Sequence, residues 1–233
     1  MSSSVLYMSM SLDGYIAGPN DEPANPGGDG FDRLHEWFHF GPDGQVGQLS
    51  GDARQLVDQM DARVRGELGE SVFGIDSETL SSVALKLMTE RKLFLGTMES
   101  CTGGLLASLL TDTPGVSTMF RGGLVSYATD LKEEWGVPRE VVERHGVISV
   151  ETARAMAQAA RERLHADIGV GVTGVAGPDK QEDKPVGTVH IAVASADWMR
   201  DTSQRFNGGR AEIKWRAAQT ALNLLRLSLL REW

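Results

Sequence analysis

The chain has 233 residues, 41% hydrophobic and 24% charged, a soluble globular composition long enough for one domain or two, with no apolar run near the length of a membrane span. Its single cysteine excludes an internal disulfide, and without a His/Cys cluster a structural zinc site is not expected. The net charge of −9 is uneven: residues 1–61 hold ten acids against Arg33 and Arg54, the rest carries 22 acids against 21 bases, and neither part has the basic stripe that nucleic acid would need.

Met1-Ser2-Ser3-Ser4 lacks the basic start and apolar core of a signal peptide, so the cytoplasm is the expected compartment. Residues 5–12 alternate as a strand, Asp13–Gly30 is a loop, and Leu34, Trp37 and Phe38 mark a short helix. Leu56, Met60, Val64 and Leu68 predict a helix from about Asp52 to Leu68. Asp76 or Ser77 can cap a helix with Leu80, Val83, Ala84, Leu87 and Met88 on one face. A strand at 93–98 and a helix at 102–112 follow. Gly122–Tyr127 reads as a strand, with short helices at Asp130–Trp135 and from Pro138 to Gly146. Ser149 caps a helix with Ala153, Met156, Ala157, Ala160 and Leu164 inward. Strands at Ile168–Thr173, Thr188–Ala194 and Asp201–Phe206 precede a closing helix at 211–230. Strands alternating with helices, then a late hairpin, predict an α/β layered domain with a mixed sheet.

Four segments carry candidate chemistry. Thr97-Met98-Glu99-Ser100-Cys101-Thr102-Gly103-Gly104 lies where a strand turns into a helix. Ser100 is a hydroxyl nucleophile there, beside helix N–H groups that could stabilise an oxyanion or hold a phosphate, and Gly103 and Gly104 let a ligand approach. Cys101 reads as a buried packing residue. Ser126-Tyr127-Ala128-Thr129-Asp130-Leu131-Lys132 supplies a phenol and an amine; Lys132 can act as a base only if desolvation or a neighbouring cation lowers its pKa. Thr173-Gly174-Val175-Ala176-Gly177-Pro178 is a small-residue turn at a strand's carboxyl end, where α/β sheets hold ligands. Arg210, ahead of the last helix, carries a fork suited to phosphate, and Lys184 reads as a solvated side chain.

In this order, with Gly122-Gly123-Leu124-Val125-Ser126-Tyr127, Gly136-Val137-Pro138, His145-Gly146-Val147-Ile148-Ser149 and Lys184-Pro185-Val186-Gly187-Thr188-Val189, these segments closely resemble the CinA C-terminal domain family, from about residue 63 onward. The resemblance implies a three-layer α/β/α domain at 62–233, homo-oligomeric, that hydrolyses the carboxamide of nicotinamide mononucleotide to nicotinic acid mononucleotide and ammonia, a step of pyridine nucleotide salvage. It implies no metal or organic cofactor, and no nucleic-acid or membrane partner. Ser100 takes the place of the family's nucleophile, and Lys132 and Tyr127 those of its assisting lysine and tyrosine. Cys101, Thr102, Gly103, Gly104, Thr173, Gly174, Gly177 and Arg210 would then bind substrate, with N–H groups near Cys101–Gly103 as the oxyanion donors. The alternative is a non-catalytic nucleotide-binding or protein-interaction module of the same fold.

Two departures stand out. Asp179-Lys180-Gln181-Glu182-Asp183 replaces the family's glycine-rich loop, and acids there would repel a phosphate; Met98 stands where alanine is usual. The larger nucleotide-hydrolase domain that precedes this module in some relatives has no counterpart, so that activity is not carried over. Residues 1–61, through Met8–Pro19 and Leu34-His35-Glu36-Trp37, resemble the start of dihydrofolate-reductase-like proteins of the riboflavin-reductase type. The likeness stops before the segments that would bind a nicotinamide cofactor, so no reductase activity is expected of this appendage. Burial of Trp37, Phe38 and Phe40 by docking or in a subunit interface is expected.

Overall fold

In the computed structural model, residues 51–231 are described, apart from Asp76. The strand at 5–12, the helix near 31–40 and the reductase-like likeness lie outside the described residues. The chain divides into two compact units, Met1–Glu78 and Thr79–Trp233. In the first, α1 runs from Gly51 to Leu68. It crosses the boundary expected at 61/62 without a break, and the division falls between Glu78 and Thr79 instead.

The second unit begins with α2 (Leu80–Arg91), capped not by Asp76 or Ser77 but by Thr79. Thr79 Oγ1 accepts from the Ser82 N–H (3.1 Å) and Ser82 Oγ from the Thr79 N–H (2.9 Å), a reciprocal box that needs an acceptor side chain three residues ahead of Ser82. Then follow β1 (Leu95–Glu99), α3 (Leu105–Thr111), β2 (Phe120–Val125), α4 (Thr129–Glu134), α5 (Arg139–His145) and α6 (Val150–Arg163). β3 (Ile168–Gly174), β4 (Thr188–Ala194), β5 (Met199–Arg205) and α7 (Arg210–Arg231) complete the unit. Ser149 caps α6 as expected, its hydroxyl accepting from the Thr152 N–H (3.1 Å). α3 starts three residues later than its apolar pattern suggests, because Gly103 (φ 61°) and Gly104 (φ 92°) sit in the left-handed region and hold 101–104 as a turn.

The five strands form one mixed sheet in the order β2-β1-β3-β4-β5, with β2, β1 and β3 parallel and β4 and β5 antiparallel to their neighbours. Alternation along β3 sorts the two faces. Ile168, Val170 and Val172 join Val189, Ile191 and Val193 of β4 in a core closed by Met88 of α2, Leu106 and Leu110 of α3, and Ile213, Leu222, Leu225 and Leu229 of α7. Gly96, Gly169 and Gly171 point the other way, toward α6. A Cβ on Gly169 would lie 1.9 Å from the Ala157 carbonyl oxygen, and one on Gly171 2.3 Å from that of Ala153. The glycines of the sheet and the alanines of α6 are thus one device, which lets the helix backbone lie almost on the strands. Helices on both faces make the expected three-layer α/β/α arrangement.

The connection from β1 leads through α3 to one side of the sheet and that from β3 leads to the other. The carboxyl ends of β1 and β3 therefore flank a topological switch point, where the chain leaves a crevice.

Candidate active site

That crevice holds a pocket of about 150 Å³ lined by Ser100 and Cys101, by Tyr127, Thr129 and Lys132, by Val147 and Ile148, by Thr173–Gly177, and by Asp179, Gln181 and Arg210. Of the residues singled out from sequence, Ser100, Lys132, Tyr127, Cys101, Thr173, Gly174, Gly177 and Arg210 meet here. Thr102, Gly103 and Gly104 do not line it. Thr102 is fully buried. Gly103 lies closest to Lys214, with 3.6 Å from its Cβ position to Nζ, and Gly104 lies against Val125.

Ser100 caps the end of β1, with 9% of its surface exposed and its N–H donating to the Val172 carbonyl of β3 (2.9 Å). The helix start behind it is not open to a ligand. Glu99, fully buried, accepts from the N–H groups of Gly104 (3.0 Å), Leu106 (3.0 Å) and Ala107 (2.8 Å). The expectation of a free helix N-terminus for a phosphate is therefore corrected: the protein's own carboxylate fills it. Gly103 donates to the Ser100 carbonyl (3.0 Å), and of the two residues between them Cys101 lines the pocket while Thr102 does not. An acid directly before a Ser-x-x-Gly-Gly turn was the available signal for this cap, and it is visible only once the turn is seen to fold back on Glu99.

Lys132, 1% exposed, is the largest buried polar side chain here. Its Nζ donates to the carbonyls of Ser126 (2.6 Å) and Tyr127 (3.4 Å). Burial pushes its pKa down to about 8, against the pull of the Glu182 and Asp130 carboxylates. The Cys101 thiol is pushed up to about 12 by burial, with the charge of Glu99 adding to it, so it stays protonated and packs in the core as expected. Tyr127 is different. Its ring is 56% exposed and its phenol oxygen accepts from the Arg210 guanidinium, which also donates to the Gly177 carbonyl. The phenol thus stands at the pocket mouth beside Arg210, while its backbone carbonyl faces Lys132.

Thr173 holds the opposite wall, its hydroxyl donating to the Val147 carbonyl (2.7 Å). In the acidic segment, Glu182 is engaged with the Val147 and Ile148 N–H groups (both 3.0 Å) and Asp183 with Lys180 (2.9 Å), so Asp179 is its one acid in the pocket lining. Lys184 is exposed, as expected. Among the described residues no group of three or more His, Cys, Asp or Glu could hold a metal, and no helix is long and apolar enough to cross a membrane.

Fold and site define an α/β domain with a mixed five-stranded sheet and a serine–lysine pocket at the carboxyl ends of its parallel strands. Residues 77–229 match the model of the CinA C-terminal domain, and the chain belongs to that family. It is 42% identical over 180 residues to a putative competence-damage inducible protein of Caldicellulosiruptor bescii, 76% of this chain but 44% of that protein. A CinA-like protein of Anaeromyxobacter dehalogenans is 40% identical over 217 residues, 90% of this chain and 51% of its own length, a share that reaches upstream of residue 62. The chain thus spans about half or less of the length of these curated relatives. Among solved structures, the competence/damage inducible protein CihA from Agrobacterium tumefaciens superposes with a TM-score of 0.62 at 36% identity, over 65% of this chain and 94% of that one. The competence damage-inducible protein A from Klebsiella pneumoniae gives 0.64 at 28% identity, over 66% and 97%.

Proposed function

We propose that this protein is an amidohydrolase that converts nicotinamide mononucleotide to nicotinic acid mononucleotide and ammonia. The observation that carries the reading is the buried Lys132 in the same pocket as Ser100: burial brings its pKa to about 8, so a usable fraction is neutral near pH 7. Neutral Lys132 takes the Ser100 proton, and Ser100 Oγ bonds to the carboxamide carbon. The C–N bond then breaks, and ammonia leaves with the proton carried by Lys132. Water, deprotonated in turn by Lys132, cleaves the acyl-enzyme to the carboxylate and restores Ser100. The Cys101 N–H group is the oxyanion donor in this scheme. Arg210 at the mouth, held by Tyr127, supplies the positive charge for the phosphate, which gives Tyr127 a positioning part in substrate binding.

Ammonia release from nicotinamide mononucleotide by the purified chain, beside Ser100→Ala, tests this. Turnover by the wild type and none by a folded Ser100→Ala is the expected result. Substantial turnover by the variant removes Ser100 from its role, and a folded wild type without turnover favours the binding-module alternative.

A further inference from the structure

The segment that departs from the family's glycine-rich loop folds into a tight hairpin. Gln181 and Lys184 exchange backbone hydrogen bonds (3.2 and 2.8 Å), leaving Glu182 and Asp183 as its two central residues. Both have positive φ, 49° and 56°. Two-residue hairpin turns with a positive φ at both positions favour Asn-Gly or Gly-Gly, because a Cβ is strained there. Glu182 lacks that freedom and Asp183 has only part of it, so contacts outside the turn must help to hold it. The exposed Lys180–Asp183 pair is worth little in water.

The Glu182 carboxylate is the stronger candidate. It bridges the N–H groups of Val147 and Ile148, two buried residues of the pocket wall. The approach is close enough that a Cβ on Gly146 would stand 2.6 Å from Glu182 Oε2. The same Val147 peptide is gripped from its other side by Thr173, and the Gly146 carbonyl accepts from Thr152 Oγ1 (2.7 Å). Glu182 is therefore tied to a peptide that β3 and α6 already immobilise. Just ahead of this tie, the chain presents Asp179 and Gln181 to the pocket.

We infer that the strained 180–184 hairpin, which brings Gln181 to the pocket, is held in place by Glu182, which acts as a latch and so as a positioning residue for substrate binding. The part concerning substrate rests on the amidohydrolase reading; the latch itself does not. Glu182→Ala removes both hydrogen bonds and leaves the turn strain, so the hairpin detaches. Asp183→Gly relieves strain and leaves the latch, so the hairpin is held at least as firmly as in the wild type.

Amide exchange at Val147 and Ile148, and cleavage by endoproteinase Lys-C after Lys180, read the hairpin in the full chain without substrate. In Glu182→Ala both rates rise at least about tenfold, as loss of charge-assisted hydrogen bonds requires. In Asp183→Gly neither rises. Wild-type rates in Glu182→Ala, or faster rates in Asp183→Gly, overturn the latch. If the wild type hydrolyses nicotinamide mononucleotide, then above about pH 9, where Lys132 is neutral with or without the pull of Glu182, Glu182→Ala raises KM with kcat largely kept, and an unchanged KM overturns the positioning role. A wild type without turnover sinks the amidohydrolase reading, while exchange and cleavage still decide the latch.

Discussion

At the scale of single residues, burying Lys132 has a cost with a definite pH signature. The folded pKa of about 8 lies below the ordinary 10.5, so between these values the unfolded chain binds the extra proton. The Lys132 contribution to stability is least favourable below pH 8 and becomes more favourable by about 3 kcal/mol as pH climbs to 10.5, a gain that Lys132→Met lacks. Urea unfolding of both proteins at pH 7 and pH 10.5 checks this; equal pH responses would show that the lysine is not desolvated. If Lys132 is the base proposed for Ser100, it must be neutral to act, and the same pKa sets the activity profile. Turnover should rise through pH 7 to 8 and level above it, with roughly a tenth of the lysine neutral at pH 7. A flat profile across that range would remove Lys132 as the base. Glu99 acts through its hydrogen bonds: Glu99→Gln should lower stability by about 1–3 kcal/mol, and Glu99→Ala by more, since three N–H groups at the start of α3 lose their acceptor.

Among the elements, the contact of α6 with the sheet depends on missing side chains. Gly171→Ala places a methyl against the Ala153 backbone, which cannot swing aside as a side chain would, and should cost about 3 kcal/mol or more. Gly66→Ala in α1, with no atom within 4 Å of its Cβ position, should instead stabilise by about 0.5–1 kcal/mol. Comparing the two melting shifts separates packing from backbone entropy. The sequence pattern located most of these elements within two or three residues, because apolar periodicity and caps such as Ser149 are local. It placed the start of α3 too early because leucines continue the helical pattern, while the left-handed glycines ahead of them do not join the helix. It placed the α2 cap too early as well, since Asp76, Ser77 and Thr79 all have capping chemistry and only the backbone path selects Thr79.

For the whole molecule, every residue lining the pocket lies in the unit Thr79–Trp233, which also carries the full five-stranded sheet. A chain beginning at Ser77 should keep the wild-type rate of ammonia release; loss of turnover in a folded protein would give the preceding residues a part in the site. Local pattern alone determined the alternation of strands and helices, the class of fold, and the segments that carry Ser100, Lys132 and Arg210, because periodicity, caps and motif order are properties of neighbouring residues. Tertiary structure decided what those segments do to one another. Depth of burial brought the Lys132 pKa to about 8, and the fold of one turn spent a helix N-terminus on Glu99. An acidic segment that reads as repulsive became a latch on Val147 and Ile148. Charge, desolvation and hydrogen bonding act through space, and the partners that set them lie up to dozens of residues away along the chain.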